Sequence, residues 1–310
     1  MRDKKVLVTG GAGFIGSHLI EALSRACREV IIIENLTSGK IENIENALAC
    51  ENVEIVEGSI TNRELLLKHM NGIDYVFHVA AVPSVPKSVT DPLLSHEVNA
   101  TGTLNILIAA MDSGVKKVIY SSSSSIYGDT PSLPKHEDMI PSPQSPYAVA
   151  KLAGEYYCRV FNHIYGLPTI SLRYFNVFGP RQDPNSQYAA VIPRFLKKIS
   201  EGKPPVIYGD GEQTRDFTFV KDVVQANIKA AESDAVGVYN IGTGERTSIH
   251  KLVEIIRKLT GSSIEPIYES ARAGDILHSL ADITEAGNFG YKPEYSLEKG
   301  IRETIEQAER

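Results

Sequence analysis

Tyr147-Ala-Val-Ala-Lys151 sets a phenol and an ammonium four residues apart, a spacing that puts both on one face of a helix. A neighbouring ammonium favours the phenolate, drawing a tyrosine down from its ordinary pKa of about 10 and making it a usable base. A run of hydroxyls, Ser121 to Ser125, precedes the pair, and further upstream stands Thr9-Gly10-Gly11-Ala12-Gly13-Phe14-Ile15-Gly16. A base, a set of hydroxyls and a glycine-rich loop together specify hydride chemistry. The Tyr-x-x-x-Lys spacing recurs at Tyr295 and Lys299 in a chain with 14 tyrosines. That copy straddles Ser296, an N-cap for a closing helix over 297–308, has no cofactor motif beside it and reads as structural.

Gly10, Gly13 and Gly16 carry the spacing Gly-x-x-Gly-x-x-Gly and lie between an apolar strand pattern and a helical one, the context in which such a triplet binds a dinucleotide. Glycine lets the chain turn tightly and approach a pyrophosphate. The phosphate charge then meets the free N–H groups of the helix N-terminus, at Phe14, Ile15 and Gly16. A second apolar strand ends in Glu34, about twenty residues beyond the glycines, where a carboxylate can accept both ribose hydroxyls of an adenosine. The same charge repels a 2′-phosphate, so the sequence favours NAD over NADP. Asn35 and Ser38 add polar groups beside it.

These groups need a frame. Short Val- and Ile-rich runs at 6–9, 30–33, 53–56, 75–79, 118–121 and 169–172 alternate with helical patterns at 14–26, 63–70, 98–111 and 147–165. The alternation predicts an α/β fold of Rossmann type, a doubly wound parallel sheet with helices on both faces. After about residue 175 the rhythm changes, with Pro180, Pro184, Pro193, Pro204 and Pro205 interrupting the chain and Gly209-Asp210-Gly211 marking a turn. Residues 1–175 therefore read as a dinucleotide-binding domain, to which the chain returns around 214–242, and 176–310 as a smaller mixed α/β portion for substrate. Within the latter, 220–231 reads as a helix and 239–241 as a strand that rejoins the main sheet. No repeat or flexible linker divides the two portions, so they should enclose one cleft.

Charge of both signs is dispersed over the 310 residues with a formal net of -6, and no basic stripe supports a nucleic-acid partner. The first residues lead into a short strand and glycines, which resemble neither a signal peptide nor a membrane span, so a cytoplasmic protein without a membrane partner is expected. Cys27, Cys50 and Cys158 are far apart and odd in number, and the 8 His are scattered. Buried thiols and no metal site follow.

Taken with Val118-Ile-Tyr-Ser-Ser-Ser-Ser-Ser-Ile-Tyr-Gly128 and Leu172-Arg-Tyr-Phe-Asn-Val-Phe-Gly-Pro180, these motifs resemble the extended short-chain dehydrogenase/reductase family over nearly the whole chain. Within it, the Ser-Ser-x-x-Tyr-Gly signature inside Ser122 to Gly128 is most similar to that of the UDP-hexose 4-epimerases. The resemblance implies NAD as cofactor, a UDP-sugar as substrate, and a homodimer through the helices around 98–111 and 147–165. It also implies transient oxidation at C4′ and reduction from the other face, interconverting UDP-glucose and UDP-galactose and accepting the N-acetylated pair.

On this likeness Tyr147 is the general base, Lys151 its partner and ribose anchor, and Ser123 the hydroxyl on the sugar's 4′-OH, with Ser124 next in register. The cofactor gains Gly39, Ser59, Ile60, Val79, Ala80, Ala81 and Asn99, the last holding the catalytic helix or capping its own. Ser59 stands where the family usually has an adenine-binding Asp. Substrate contacts fall to Ser84, Ser123, Ser124, Tyr147, Asn176, Val191, Tyr208, Arg215, Arg272, Asp275 and Ser279. The segments Arg181 to Asn185 and Tyr188 to Pro193 resemble those of enzymes handling N-acetylated sugars, and a small Ser279 implies room for the acetamide. Dehydratases and decarboxylases of the family place carboxylates within the serine signature, and none stands here. A UDP-glucuronate-processing enzyme of the same family and a non-catalytic NAD-binding regulator are the alternatives.

Overall fold

The computed structural model of the chain describes residues 1–184, 190–271 and 276–308. Seven parallel strands make one sheet: β1 (Lys5–Thr9), β2 (Glu29–Glu34), β3 (Val53–Glu57), β4 (Tyr75–His78), β5 (Lys117–Ser123), β6 (Thr169–Tyr174) and β7 (Gly237–Ile241), in the spatial order β7-β6-β5-β4-β1-β2-β3. Consecutive apolar residues force this burial on both faces. On β1, Val6 and Val8 turn to one core with Leu19 and Ile20 of α1 (Phe14–Ala26). Leu7 turns to the other, with Leu66 of α2 (Arg63–Met70) and Ile106 of α3 (Gly102–Asp112). The strand order reverses between β1 and β4, so a crevice opens there at the carboxyl ends of the strands.

The expected helix over 98–111 is corrected at its start. Glu97–Thr101 is a π turn that leads into α3, and such widened turns gather at functional sites. The helix α4 (Pro146–Tyr165) has firm ends: the Ser145 hydroxyl accepts the Ala148 N–H, Pro146 opens the first turn, and Gly166 closes it at φ +69°. Its buried residues recur every three or four positions, Ala148, Lys151, Glu155 and Cys158 among them. Two ionisable side chains therefore face the sheet.

Beyond β6 the chain builds α5 (Val191–Ser200), α6 (Val220–Glu232), α7 (Ile249–Thr260) and α8 (Leu297–Ala308). Phe195, Phe217, Phe219, Leu252 and Ile301 form the core of the smaller portion. As expected from sequence, β7 rejoins the sheet, beside β6. Tyr295 packs on Phe219 at 4.6 Å at the edge of this core, and exposed Lys299 lies 3.7 Å from its ring centroid, so the second Tyr-Lys pair is structural.

A Cβ on Gly16 would overlap the Gly10 carbonyl, backbone against backbone. Gly16→Ala is therefore expected to destabilise the fold by about 1–3 kcal/mol, seen as a lower urea midpoint with an unchanged slope. An unchanged midpoint would contradict the close approach.

Candidate active site

Parallel strands deliver their carboxyl ends to one edge, bringing Thr9, His78, Ser123 and Tyr174 together. Ser123 closes β5, and its hydroxyl accepts the Ser125 N–H at 3.2 Å to start the short turn Ser124–Tyr127. Gly128 ends that turn at φ +62°, where a Cβ would overlap the Ser142 carbonyl. On α4 the Tyr147 N–H donates to the hydroxyl of buried Ser88 at 3.0 Å, and the Ser123 side chain is near enough to act on the Tyr147 phenol. One turn on, the Lys151 ammonium donates to the Ser121 carbonyl at 2.8 Å, 6.0 Å from the Tyr147 ring centroid and 5.1 Å from that of Tyr120. Another turn on, Glu155 accepts the Ser122 hydroxyl and both arms of the Arg173 guanidinium, Nε at 2.9 Å and Nη2 at 2.7 Å. The helix thus grips two consecutive residues of β5, next to Ser123.

The electrostatics correct one expectation. Burial raises the Tyr147 phenol above its ordinary value, and the Ser123 side chain draws it back. The Lys151 ammonium, held on the Ser121 carbonyl 6.0 Å from the ring centroid, does not bring the phenol below its ordinary value. Burial pushes Lys151 itself down to about 8, with Cys158 and Glu155 acting in the other direction. An amine that binds its proton less tightly when folded destabilises the fold wherever it is charged, and that cost fades as pH rises from about 8 to 10.5. Lys151→Met is therefore expected to stabilise the protein near neutrality by up to about 3 kcal/mol, net of the lost bond to Ser121. The advantage should vanish near pH 10 in urea unfolding, and a variant less stable than wild type at neutrality would refute it.

The crevice fits a dinucleotide. Gly10 adopts φ +72°, and a Cβ there would stand 2.7 Å from the Ala80 Cα, whereas at Gly13 the nearest atom would be 3.3 Å away. No side chain caps α1 and no acidic residue stands in its first turn, which leaves the N–H groups at Phe14 and Ile15 suited to a phosphate. The Glu34 carboxylate is buried, accepting the Ala12 N–H at 3.2 Å and the Leu36 N–H at 2.9 Å. An ionised carboxylate has about four acceptor sites, so two remain for ribose hydroxyls. A Cβ on Gly39 would lie 2.8 Å from this carboxylate.

The other expected cofactor residues vary. Asn35 and Ser38 are exposed, Asn35 accepting the Thr37 N–H. The Ser59 hydroxyl bonds Thr61 at 2.8 Å, and Ile60 is buried. Val79, Ala80 and Ala81 follow β4 at the crevice, half-buried. Asn99 bonds Val82 and Ser95, not α4, and caps no helix.

A cleft of about 380 Å³ opens beside Ser123 and Tyr147, walled also by Ser124, Lys135, Gln182 and Ser279. A second, of about 250 Å³, is walled by Val191, Arg194 and Tyr208, and Asn176 and Arg215 line both. Asn176 has a left-handed backbone, φ +32°, and its amide donates to the Asp216 carbonyl at 2.9 Å and the Ser279 hydroxyl at 3.2 Å. The Arg215 guanidinium donates to the Thr214 and Leu277 carbonyls, and Arg194 lies over the Tyr208 ring at 5.5 Å. Ser84 caps the short helix Val85–Thr90 through the Lys87 N–H. Arg272 and Asp275, like residues 185–189, lie outside the described residues.

Residues 6–242 match the model of the NAD dependent epimerase/dehydratase family. The chain belongs to that family. It is 48% identical to a UDP-N-acetylglucosamine 4-epimerase from Methanobrevibacter ruminantium M1, solved in complex with UDP-N-acetylmuramic acid, with a TM-score of 0.97 and 99% of each chain covered. It is 39% identical over 307 residues to a UDP-glucose 4-epimerase from Mycolicibacterium smegmatis, covering 97% of both. A UDP-glucuronic acid 4-epimerase from Bacillus cereus, in complex with UDP-glucuronic acid and NAD, is 34% identical with a TM-score of 0.91, over 98% of this chain and 99% of that one. The chain is an NAD-dependent enzyme of the epimerase type. Among its described residues no helix is long and apolar enough to cross a membrane.

Several residues of this epimerase-family site escape a reading of sequence. Ser88 meets Tyr147 across 59 positions, so no local signal marks it. Asp216 stands beside Arg215 in sequence, with no spacing pattern to mark it. It accepts the N–H groups of Thr243, Gly244 and Ala281 and the Thr243 hydroxyl, which holds the Ser279 segment in place. Of the three thiols, Cys27 and Cys158 are buried and Cys50 is half-buried.

Proposed function

We propose that this enzyme is a UDP-sugar 4-epimerase that inverts C4′ of UDP-glucose and UDP-galactose and of their N-acetylated counterparts. One observation carries the reading: Ser123 and Tyr147, backed by Lys151, line one cleft whose described lining holds no Asp or Glu. Inversion through a 4-keto sugar needs one group that accepts a proton and returns it, whereas dehydration or decarboxylation needs further acid and base groups. Bound NAD supplies a reversible hydride acceptor. Tyr147 as phenolate takes the proton of the sugar's 4′-OH and later returns it, the Ser123 hydroxyl contacts that same oxygen, and Lys151 supports the phenolate charge and the ribose. The Arg215 and Arg272 guanidinium groups serve the UDP diphosphate, Asp275 is assigned to UDP by sequence resemblance alone, and Tyr208 stacks on uracil.

Lys135, buried yet lining the same cleft beside Ser124 and Ser125, favours a second reading in which the sugar is a uronate. The exposed face of α4 suits a homodimer: Val149, Tyr156, Val160 and Ile164 are 52, 53, 41 and 65% exposed, an apolar stripe that a second copy would cover. A cytoplasmic setting accords with three free thiols.

The test is incubation with UDP-glucose, UDP-N-acetylglucosamine and UDP-glucuronate in turn, without added NADH, followed by detection of each C4 epimer. Tyr147→Phe should keep its bound NAD and lose at least about 100-fold in kcat. Turnover of the uronate alone would favour the second reading, and free NADH formed at the rate of substrate loss would identify a dehydrogenase.

Ser279 has 9% exposure and borders the cleft, so bulk added there enters the sugar site. Ser279→Tyr is expected to depress turnover of the N-acetylated sugar selectively, by about 10-fold or more relative to UDP-glucose. An equal effect on both sugars would remove Ser279 as a gate.

A further inference from the structure

The floor of the crevice holds a buried polar chain that none of the steps above uses. The Ala80 N–H donates to Thr9 Oγ1 at 3.2 Å, and Thr9 Oγ1 lies 2.8 Å from His78 Nδ1. His78 Nε2 lies 2.9 Å from Thr103 Oγ1, whose hydroxyl donates to the Asn99 carbonyl at 2.7 Å. The Asn99 side chain then closes on Val82, accepting its N–H at 2.8 Å and donating to its carbonyl at 3.2 Å. Thr9, His78, Thr103 and Asn99 are each at most 1% exposed. Both ends of the chain return to residues 80–82, the segment that follows β4 and meets the glycine loop at Gly10.

The chemistry of the two ends fixes the direction. A carbonyl only accepts, so the Thr103 proton is committed to Asn99 and the Thr103 oxygen must accept from His78 Nε2–H. At the other end the Thr9 oxygen already accepts Ala80, which leaves its proton for His78 Nδ1. We infer that His78 is a positioning residue that, as the neutral Nε2–H tautomer, completes a one-way circuit holding the wall Ala80–Val82 against the dinucleotide. A proton on Nδ1 would turn the Thr9 oxygen into a double acceptor and take away the acceptor of the buried Thr9 proton. The same burial, together with the Lys151 charge, holds the His78 imidazole down to about 3. The tautomer belongs to the protein whatever sugar it acts on, whereas the positioning role rests on the NAD crevice described above.

Two measurements test the two parts. In holoenzyme labelled with ¹⁵N at histidine, the His78 resonances should show Nε2 protonated and Nδ1 bare from mildly acidic to mildly alkaline pH. An Nδ1–H or imidazolium signature would overturn the inference. Thr103→Val cuts the circuit with little change of shape, and should speed release of bound NAD by about 10-fold while kcat at saturating NAD stays within about 2-fold. Thr103→Ser, which keeps the hydroxyl, should restore slow release. Release from Thr103→Val at the wild-type rate would leave His78 no positioning role, and Thr103→Ser as fast as Thr103→Val would show that shape rather than the hydroxyl is what matters.

Discussion

Glu155, buried between the Ser122 hydroxyl and the Arg173 guanidinium, is the contact on which the active centre depends. Burying two opposite charges costs more desolvation than a simple pair recovers, unless further hydrogen bonds fill their remaining capacity. Here they do. Arg173 Nη1 reaches the Tyr127 hydroxyl and the Glu137 carbonyl, the Tyr127 hydroxyl donates to Asn240 Oδ1, and the Asn240 amide runs on to the Lys135 and Asp282 carbonyls. The network joins α4, β5, β6 and β7 to the edge of the cleft. Its value lies in specificity of geometry: with Lys151 on the Ser121 carbonyl and Glu155 on Ser122, the next residue, Ser123, has little freedom in how it meets Tyr147.

A second buried carboxylate does the same on the substrate side. Asp216 gathers Thr243, Gly244 and Ala281, and a Cβ on Gly242 would come within 2.8 Å of it, so two distant stretches of chain converge on one group. Asn176 bridges from this cluster to Ser279 while holding a left-handed backbone that asparagine tolerates better than most residues. The two clefts meet at Asn176 and Arg215, which line both.

What a reader of the sequence could see was whatever lies close along the chain. The glycine triplet, Glu34 at the end of the second strand and the pairing of Tyr147 with Lys151 are local patterns, and the alternation of apolar runs carries the sheet. The partners that set their geometry are not local. Arg173 reaches Glu155 from a strand, Ser88 reaches Tyr147 from a short helix, and Asn99 in the π turn commits its amide to Val82. The direction of the Tyr147 shift was misread for the same reason. It depends on burial and on where the Lys151 ammonium points, and helical spacing reports neither.

The late arrival of β7 has a bearing on how the enzyme is made. Residues up to 175 contain the glycine loop, Glu34, Ser123, Tyr147 and Lys151, yet β6 lacks its outer neighbour until Gly237–Ile241 joins it. As the chain leaves the ribosome, the sheet keeps an open, hydrophobic margin while Asn176, Arg215 and Asp216 are still being added. The strand that covers that margin also brings Asn240 to Tyr127, locking the turn behind Ser123. The turn behind Ser123 thereby gains its Asn240 partner only after Asn176 and Arg215 of the cleft wall have been added.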